Sequence, residues 1–531
     1  MQRNEPVDLK LQQAIIHTLD RMAQGGIYDQ IAGGFHRYST DHEWLVPHFE
    51  KMLYNQALLG RVYAQSYFLT ANNFHQQIAR ETFDYVLRDM KAPSGGFYSA
   101  TDADSEGAEG TFFLWQQQQL KELLSVDDYQ FVVALYDITA SGNFEGRNIL
   151  YLPEIPKIYR TGSAEFSDLK EWQDRLTRIK RRLYLAREKR IHPFKDKKII
   201  TAWNGMMITA LAKAATFLNE PRYLSAAQQA ADYLWKYHFE PRSGLSRISL
   251  GGNSSIQATQ EDYAYFAEGL MALYDNSGEI IWLNKAQQLL DKMVEDFMDD
   301  THGGFYLTSN KTKGPLISKI KSTHDGAIPS GNSVALSALV SIAGKTESLP
   351  NQQVLNKTLA FLSGKIKHQG VAHSYAMLAA SESLNGEIGS KITLANGHIR
   401  ASVVWLDHSS QHFAVTLTID KGWHINADKI PQKDLFPTNL VLYGDDSNQS
   451  RIKVNYPSAN SHSVSFFEQD LLLFSGTVVI NGQLIKQQLL GEITQPLKLK
   501  LGLQACQDDR CLAPEERILI LADEPLFNLM L

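Results

Sequence analysis

The sequence predicts two parts: a helical toroid of the (α/α)6 type over residues 1–386 and an all-β sandwich over 387–531. Three observations carry this. From Leu9 to Leu384, amphipathic patterns of helical period alternate with Gly-rich or aromatic connections, about twelve helices in all, the number six helical hairpins require. The connections repeat a signature, GGFHRYST at 33, GGFYSATD at 95 and GGFYLTSN at 303, and repeated connections on one rim are where repeat architectures place binding sites. After Glu387 the period changes from helical to two.

The helices are expected near 8–24, 47–69, 73–91, 116–136 (as one or two), 164–190, 199–218, 221–239, 261–276, 279–299, 331–344, 350–366 and 371–384. In the second of these, Pro47 suits the first helical position because its missing N–H would be unpaired there. Phe49, Leu53, Leu59 and Tyr63 then mark an apolar stripe, and His48, Lys51 and Asn55 a neighbouring polar one. The pairs Gly25-Gly26 and Gly33-Gly34 let the chain before it turn sharply. IITAWNGMMITALAKAATFL is apolar nearly all round, whereas EFSDLKEWQDRLTRIKRRLYLAREK is charged on one side; inner and outer rings of a toroid produce that contrast. Strands are expected in HIRASVVWLD, HFAVTLTID, NLVLYG, SVSFFE, TVVING, LKLKLGLQAC and RILILA, with turns at Asp420-Lys421-Gly422 and Asn481-Gly482.

At 531 residues, 44% hydrophobic and 21% charged, the chain has the size and composition of a soluble protein of two or three domains. A formal charge of −6 argues against a general nucleic-acid binder. The basic run Arg175 to Arg190 carries Leu176, Ile179 and Leu183 at helical spacing and reads as the solvated face of an outer helix. No apolar run is long enough to span a bilayer, and MQRNEPVDLKLQQ has no signal-peptide core. As it stands the chain reads as cytoplasmic, or periplasmic if an upstream signal has been lost.

Four sets of residues carry candidate chemistry. His36, Arg37, Asp41, Trp44, His48 and Glu50 combine groups of near-neutral pKa with an aromatic platform, what a sugar-processing site needs. Asp102, Asp104, Glu106 and Glu109 come next. Their D-x-D-x-E-G spacing imitates an EF-hand start, but the twelfth position is Phe113, not a bidentate Glu, so no metal is assigned. Clustered carboxylates raise one another's pKa and place an acid beside a base; a solvated acidic turn is the plain alternative. Trp203 and Asn204 open the apolar inner helix, with Lys198 just before it, and Asn204 serves as a clamp on a neighbouring loop or as a ligand contact. Glu261, Asp262 and Tyr263 start another helix, where the helix dipole alone favours acids; Glu268 stands mid-helix among apolar residues. Cys506 and Cys511 are the only cysteines. In C-QDDR-C, the two acids tend to raise a thiol pKa and Arg510 to lower it.

GGIYDQIAGGFHRYSTDHEWLVPHFEKMLY, DADSEGAEGTFFLW, HPFKDKKIITAWNGMMI and EDYAYFAEGL, with Asn148 in GNFEGRNIL, resemble the thioredoxin-domain-containing family that includes a spermatogenesis-associated mammalian member. The resemblance runs from about Leu9 to Leu384. It implies a toroid similar to six-hairpin glycosidases and N-acylglucosamine 2-epimerases, preceded in the family by a thioredoxin-like module; the sequence as given begins directly in the toroid, as either a truncated product or a shortened homologue would. KGWHINAD, FPTNL, FSGTVVI and QACQDDRCLAPE resemble the immunoglobulin-like N-terminal periplasmic domain of the thiol:disulfide interchange protein DsbD, in which a cysteine pair on adjoining strands passes electrons to partners. Epimerase-like toroids use His as a base, and glycosidase-like ones use paired carboxylates. The resulting expectation is a site for a small-molecule or oligosaccharide ligand, with His48, Glu50, Asp102 and Asp104 catalytic. His36, Arg37, Asp41, Trp44, Lys198, Trp203, Asn204, Asp262 and Tyr263 are expected to bind substrate, with no cofactor. The alternative is a non-catalytic docking toroid coupled to thiol–disulfide exchange at Cys506 and Cys511 with a thioredoxin-like partner.

Overall fold

The computed structural model describes residues 9–159, 166–312, 318–406, 411–432, 435–443, 451–463, 470–485 and 497–521. Contacts divide the chain into two compact units. One comprises Met1–Tyr67 with Asn72–Ala258, the other Phe68–Ala71 with Thr259–Leu531.

In the first unit the helices are α1 (Leu9–Gln24), α2 (Leu53–Thr70), α3 (Asn73–Tyr85, prolonged by a π turn to Met90), α4 (Gln117–Leu123), α5 (Val126–Tyr136), α6 (Phe166–Arg187), α7 (Thr201–Phe217) and α8 (Pro221–Tyr237). The last three residues of α2 fall in the second unit. The second unit adds α9 (Gln260–Ser277), α10 (Ile280–Phe297), α11 (Gly331–Ala343), α12 (Leu349–Gln369) and α13 (Ser374–Asn385). The apolar segment becomes α7, buried along most of its length. The hairpin Gly244–Leu250 with Asn253–Gln257, turning at Gly251-Gly252, was not expected from the sequence.

One helix start differs. α2 begins at Leu53, and Pro47–His48 and Lys51–Met52 are short strands. Backbone groups a helix would use are taken elsewhere: Lys51 and Met52 pair with Thr101 and Ala100, Phe49 N–H donates to Glu109 Oε1 at 3.1 Å, and Leu53 N–H to Ser99 O at 2.9 Å. His48, Lys51 and Asn55 therefore do not share a helix face. Lys51 instead turns inward, buried to 1% exposure.

The Gly-Gly-Phe copies have a common construction. In each, the Phe is fully buried and its backbone is gripped by a carboxamide from the start of a helix: Phe35 by Gln56, Phe97 by Asn204, Phe305 by Asn332. Two copies share a further latch. Lys51 Nζ donates to Asp29 Oδ2 at 2.8 Å and Gly33 O at 2.9 Å, and Lys321 Nζ to Asp299 Oδ2 and Gly303 O, both at 2.7 Å. Gly33 and Gly34 have φ of +76° and +80°, which glycine adopts without a steric penalty. Gly25-Gly26 works differently, through close approach: a Cβ on either would lie 2.2 Å from the carbonyl oxygens of Trp44 and Leu45 respectively.

After α13 the second unit turns to sheets. One runs Ile388–Gly389, Glu515–Leu521, Leu497–Leu503, Asn439–Leu442; another Lys391–Leu394, Ile399–Trp405, His412–Ile419, Thr477–Leu484, Ile452–Asn455; a third Asn460–His462, Leu471–Phe474, His424–Asn426, Ala505–Cys506. Phe413, Val415, Leu417, Ile425, Leu499 and Leu501 belong to one apolar core drawn from all three. Most of SVSFFE lies outside the described residues. Gly422 turns where expected, at φ +85°. Asn481-Gly482, however, is no turn. It lies within Thr477–Leu484, where a Cβ on Gly482 would come 2.0 Å from the ring of Phe413, its cross-strand partner. The glycine makes room for an aromatic in a strand interior.

Candidate functional site

The first unit gathers several of the expected residues around His48. The strand Pro47–His48 pairs with Tyr38–Ser39, which stacks the imidazole on the Tyr38 ring at 5.0 Å between centroids. His48 Nδ1 lies 2.7 Å from Glu109 Oε1 and Nε2 lies 3.7 Å from Glu50 Oε2. Glu50 is in turn gripped by Arg37 at 2.9 Å. Tyr54 stands near Arg37, and its ring meets Trp203 edge-on at 5.0 Å. A carboxylate only accepts, so Nδ1–H donates to Glu109, and in the neutral imidazole the lone pair is on Nε2. His48 side-chain exposure is 27%, Tyr38 is 48% exposed, and solvent reaches both.

Glu109 is held by a tight hairpin, Asp104–Ser105 against Ala108–Glu109, with Glu106 and Gly107 at positive φ. Of its carboxylates, Glu109 reaches His48, while Asp102, Asp104 and Glu106 are exposed. Asp102 is nevertheless nearby. Lys51, Thr101 and Lys195 form one row of a small sheet, and one residue further along each strand stand Glu50, Asp102 and Phe194, with Asp102 N–H donating to Phe194 O at 2.8 Å. Phe194 is 72% exposed, an aromatic beside two carboxylates.

His36 lies beneath this surface. It is buried to 2% exposure with Nδ1 2.8 Å from Phe49 O, so Nδ1 carries the proton. Burial, reinforced by Lys51, pushes its pKa down to about 3 and keeps it neutral. Beside it Asp29 receives Arg187 through two bonds of 3.0 and 2.9 Å as well as Lys51. Burial alone would raise the Asp29 carboxyl; Arg187 and Lys51 hold it well below its usual range. Burial lowers Lys51 to about 8 against the pull of Asp29.

Other expected residues have local duties. Asp41 accepts the amides of Val46, Leu45 and Glu43 at 2.6, 3.0 and 2.9 Å and staples the loop. Its partial burial opposes ionisation, but these amides lower its pKa. Trp44 sits at φ +64° and its carbonyl receives Ile27 N–H. Lys198 pairs with Asp196 at 3.0 Å. Asn204 is fully buried, with Oδ1 bound to Phe97 N–H and Nδ2 to Phe97 O and Ile200 O; the geometry uses it as the clamp. Asn148 likewise ties Trp115 to Thr139.

In the second unit Asp262 closes a capping box with Thr259 at the start of α9, and Tyr263 is buried against Phe297. Glu268 accepts the hydroxyls of Tyr375 and Ser337 at 2.5 and 3.0 Å. Cys506 and Cys511 are joined in a disulfide at a hairpin tip. Arg510, in that tip, lies 5.7 Å from the Trp423 ring and 3.0 Å from Glu347.

Comparison with known proteins gives matches along both the helical and the β part. Residues 394–523 match the family model described as Thiol:disulfide interchange protein DsbD, N-terminal. Along the helical part, spermatogenesis-associated protein 20 of Homo sapiens is 34% identical over 372 residues, 64% of this chain and 47% of the relative. This chain thus spans about half the length of the curated relatives it matches. Both resemblances expected from the motifs are found. Among solved structures, cellobiose 2-epimerase from Spirochaeta thermophila aligns at 11% identity over 69% of this chain and 73% of that one, TM-score 0.42. The Neisseria meningitidis DsbD N-terminal domain in the reduced form aligns at 12% identity over 23% of this chain and 83% of that one, TM-score 0.17. Neither likeness bears on what this chain binds.

Tyr38, Tyr54 and Phe194 were not expected in the site. Tyr38 had a signal, since it stands two residues after His36 in GGFHRYST; Phe194 depends on a sheet of two-residue strands that no sequence period reveals. Among the described residues no helix is long and apolar enough to cross a membrane, and no group of three or more metal-ligating side chains is found.

Proposed function

We infer that the chain is a carbohydrate-active protein with a sugar-type ligand at His48. The observation that carries this is the imidazole held between Glu109 and Glu50 and stacked on Tyr38. With Nδ1–H committed to Glu109, Nε2 is the basic nitrogen, and a positioned base of this kind contributes about 10²–10⁴-fold to a proton transfer. Glu50, Asp102 and Asp104 supply the acid. Tyr38, Trp203 and Phe194 offer faces to the apolar side of a pyranose, and Arg37 a fork of donors to its hydroxyls. Hydrolysis and epimerisation both use this set, and the reaction is unassigned. The architecture proposed with it is an (α/α)6 toroid at 1–386 and an immunoglobulin-like sandwich at 387–531.

The test is a thermal-shift screen against mono- and oligosaccharides, because a ligand of the folded state alone raises its melting temperature. A shift that vanishes in His48→Ala, with the unliganded melting temperature kept, is the expected result. Intact binding in a destabilised His48→Ala chain makes His48 a packing residue.

A second reading has its own support in the Cys506–Cys511 disulfide and the DsbD N-terminal match over 394–523. Here the helical part docks a client, and the cysteine pair exchanges electrons with a thioredoxin-like partner. No sugar shift across the panel, with a mixed disulfide trapped at either cysteine, selects this reading.

A further inference from the structure

Within the second unit the ends of α11 and α13 face the first strands of the β part across an open cavity of about 220 Å3. At about 30 Å3 per water it has room for about seven waters, or one molecule of monosaccharide size. Its charged groups are spent on each other. Lys345, at 1% side-chain exposure, binds Asp275 at 3.3 Å, Ser341 Oγ at 3.0 Å and Glu387. Glu387 also accepts Thr393 N–H at 3.1 Å. Arg517 holds Glu515 at 2.7 Å, and Glu515 accepts Ala395 N–H. With Glu382, Glu387 and Glu515 against Lys345 and Arg517, the wall is slightly acidic and disfavours anions.

The remaining polar groups are neutral. Ser383, Thr393 and Asn396 line the cavity, and their hydroxyls and carboxamide make no hydrogen bond among the described residues. Asn396 is presented by a turn in which Ala395, Asn396 and Gly397 have φ of 51°, 53° and 101°. Alanine is strained there, and such strain clusters where a binding geometry is enforced. The turn is pressed onto Lys345, since a Cβ on Gly397 would lie 2.4 Å from its carbonyl oxygen. Hydroxyls and a carboxamide both donate and accept, which matches ligand hydroxyls and not a single charge. We propose that this cavity binds a neutral polyhydroxylated molecule of monosaccharide size, held by Ser383, Thr393 and Asn396.

Calorimetric titration of the full chain carrying His48→Ala, which removes the other candidate sugar site, tests this with glucose, mannose, sorbitol, glucose 6-phosphate and spermidine as probes. One-to-one binding of a neutral probe is expected, weakened about tenfold or more by Asn396→Gly, which keeps the turn but loses the amide. Thr393→Val is expected to weaken it as well, with the melting temperature kept in both variants. Absence of binding by every neutral probe overturns the proposal. So does binding indifferent to both substitutions, or preference for the phosphate or the polyamine.

Discussion

Asn204 closes a two-bond ring with the backbone of Phe97: its Oδ1 accepts Phe97 N–H at 2.8 Å and its Nδ2 donates to Phe97 O at 3.0 Å. The pair bolts the start of α7 to a Gly-Gly-Phe turn more than a hundred residues earlier. Asn204→Asp keeps the acceptor and loses the donor, leaving buried carbonyls unsatisfied beside a carboxylate, and is expected to cost about 1–3 kcal/mol. Gln56→Glu and Asn332→Asp are expected to behave alike, since they make the same ring with Phe35 and Phe305. Urea midpoints of the three variants check this; a ligand-binding role for Asn204 instead predicts an unchanged midpoint.

Why the sequence could state the fold better than the site follows from cases like this. Helices announce themselves through many residues at one period, so α7 and α9 fall close to their expected bounds. The Gly-Gly-Phe repeat was visible, but its partner amides lie one or more elements away and have no fixed spacing. Pro47 permits a helix start as readily as a strand, and only pairing with Tyr38–Ser39 decides it. Asn481-Gly482 looked like a hairpin turn because its need for space arises from Phe413, across the sheet.

Glu109 sets the tautomer of His48, so its charge matters beyond its position. Glu109→Gln retains an acceptor for Nδ1–H but removes the carboxylate that stabilises an imidazolium. The expected outcome is a loss of turnover of about 10-fold or more on any sugar substrate, with ligand affinity changed less and the melting temperature kept. Kinetics of Glu109→Gln beside Glu106→Gln, an exposed neighbour in the same hairpin, provide the measurement. Equal effects of the two would mean that His48 acts without Glu109.

His36 titrates with folding. Its pKa is about 3 in the fold against an ordinary 6.5, so below pH 6.5 the unfolded chain binds a proton that the folded chain refuses. Stability from neutral His36 is fully present above pH 6.5 and is lost as pH falls toward 3, by at most about 1.4 kcal/mol per pH unit. His36→Gln cannot lose it in this way. The stability gap between parent and His36→Gln is therefore expected to narrow as pH drops from 6.5, read from urea midpoints at successive pH values. A gap constant with pH would mean that His36 takes up its proton while folded.

Cys506 and Cys511 bond across a separation of five residues. A loop this short restrains the unfolded chain little, and in the chain-entropy model it contributes only about 2 kcal/mol, so its removal should leave the core around Phe413 and Leu501 folded. Arg510 near the thiols favours thiolate, whereas Asp508 and Asp509 oppose it. The pair is accordingly expected to open with dithiothreitol and close with oxidised glutathione while the chain stays folded, followed by thiol titration alongside the circular dichroism of the strands. Two free thiols under oxidised glutathione would remove the exchange reading. Unfolding on reduction would make the bond structural, because an exchanging disulfide must survive its own opening.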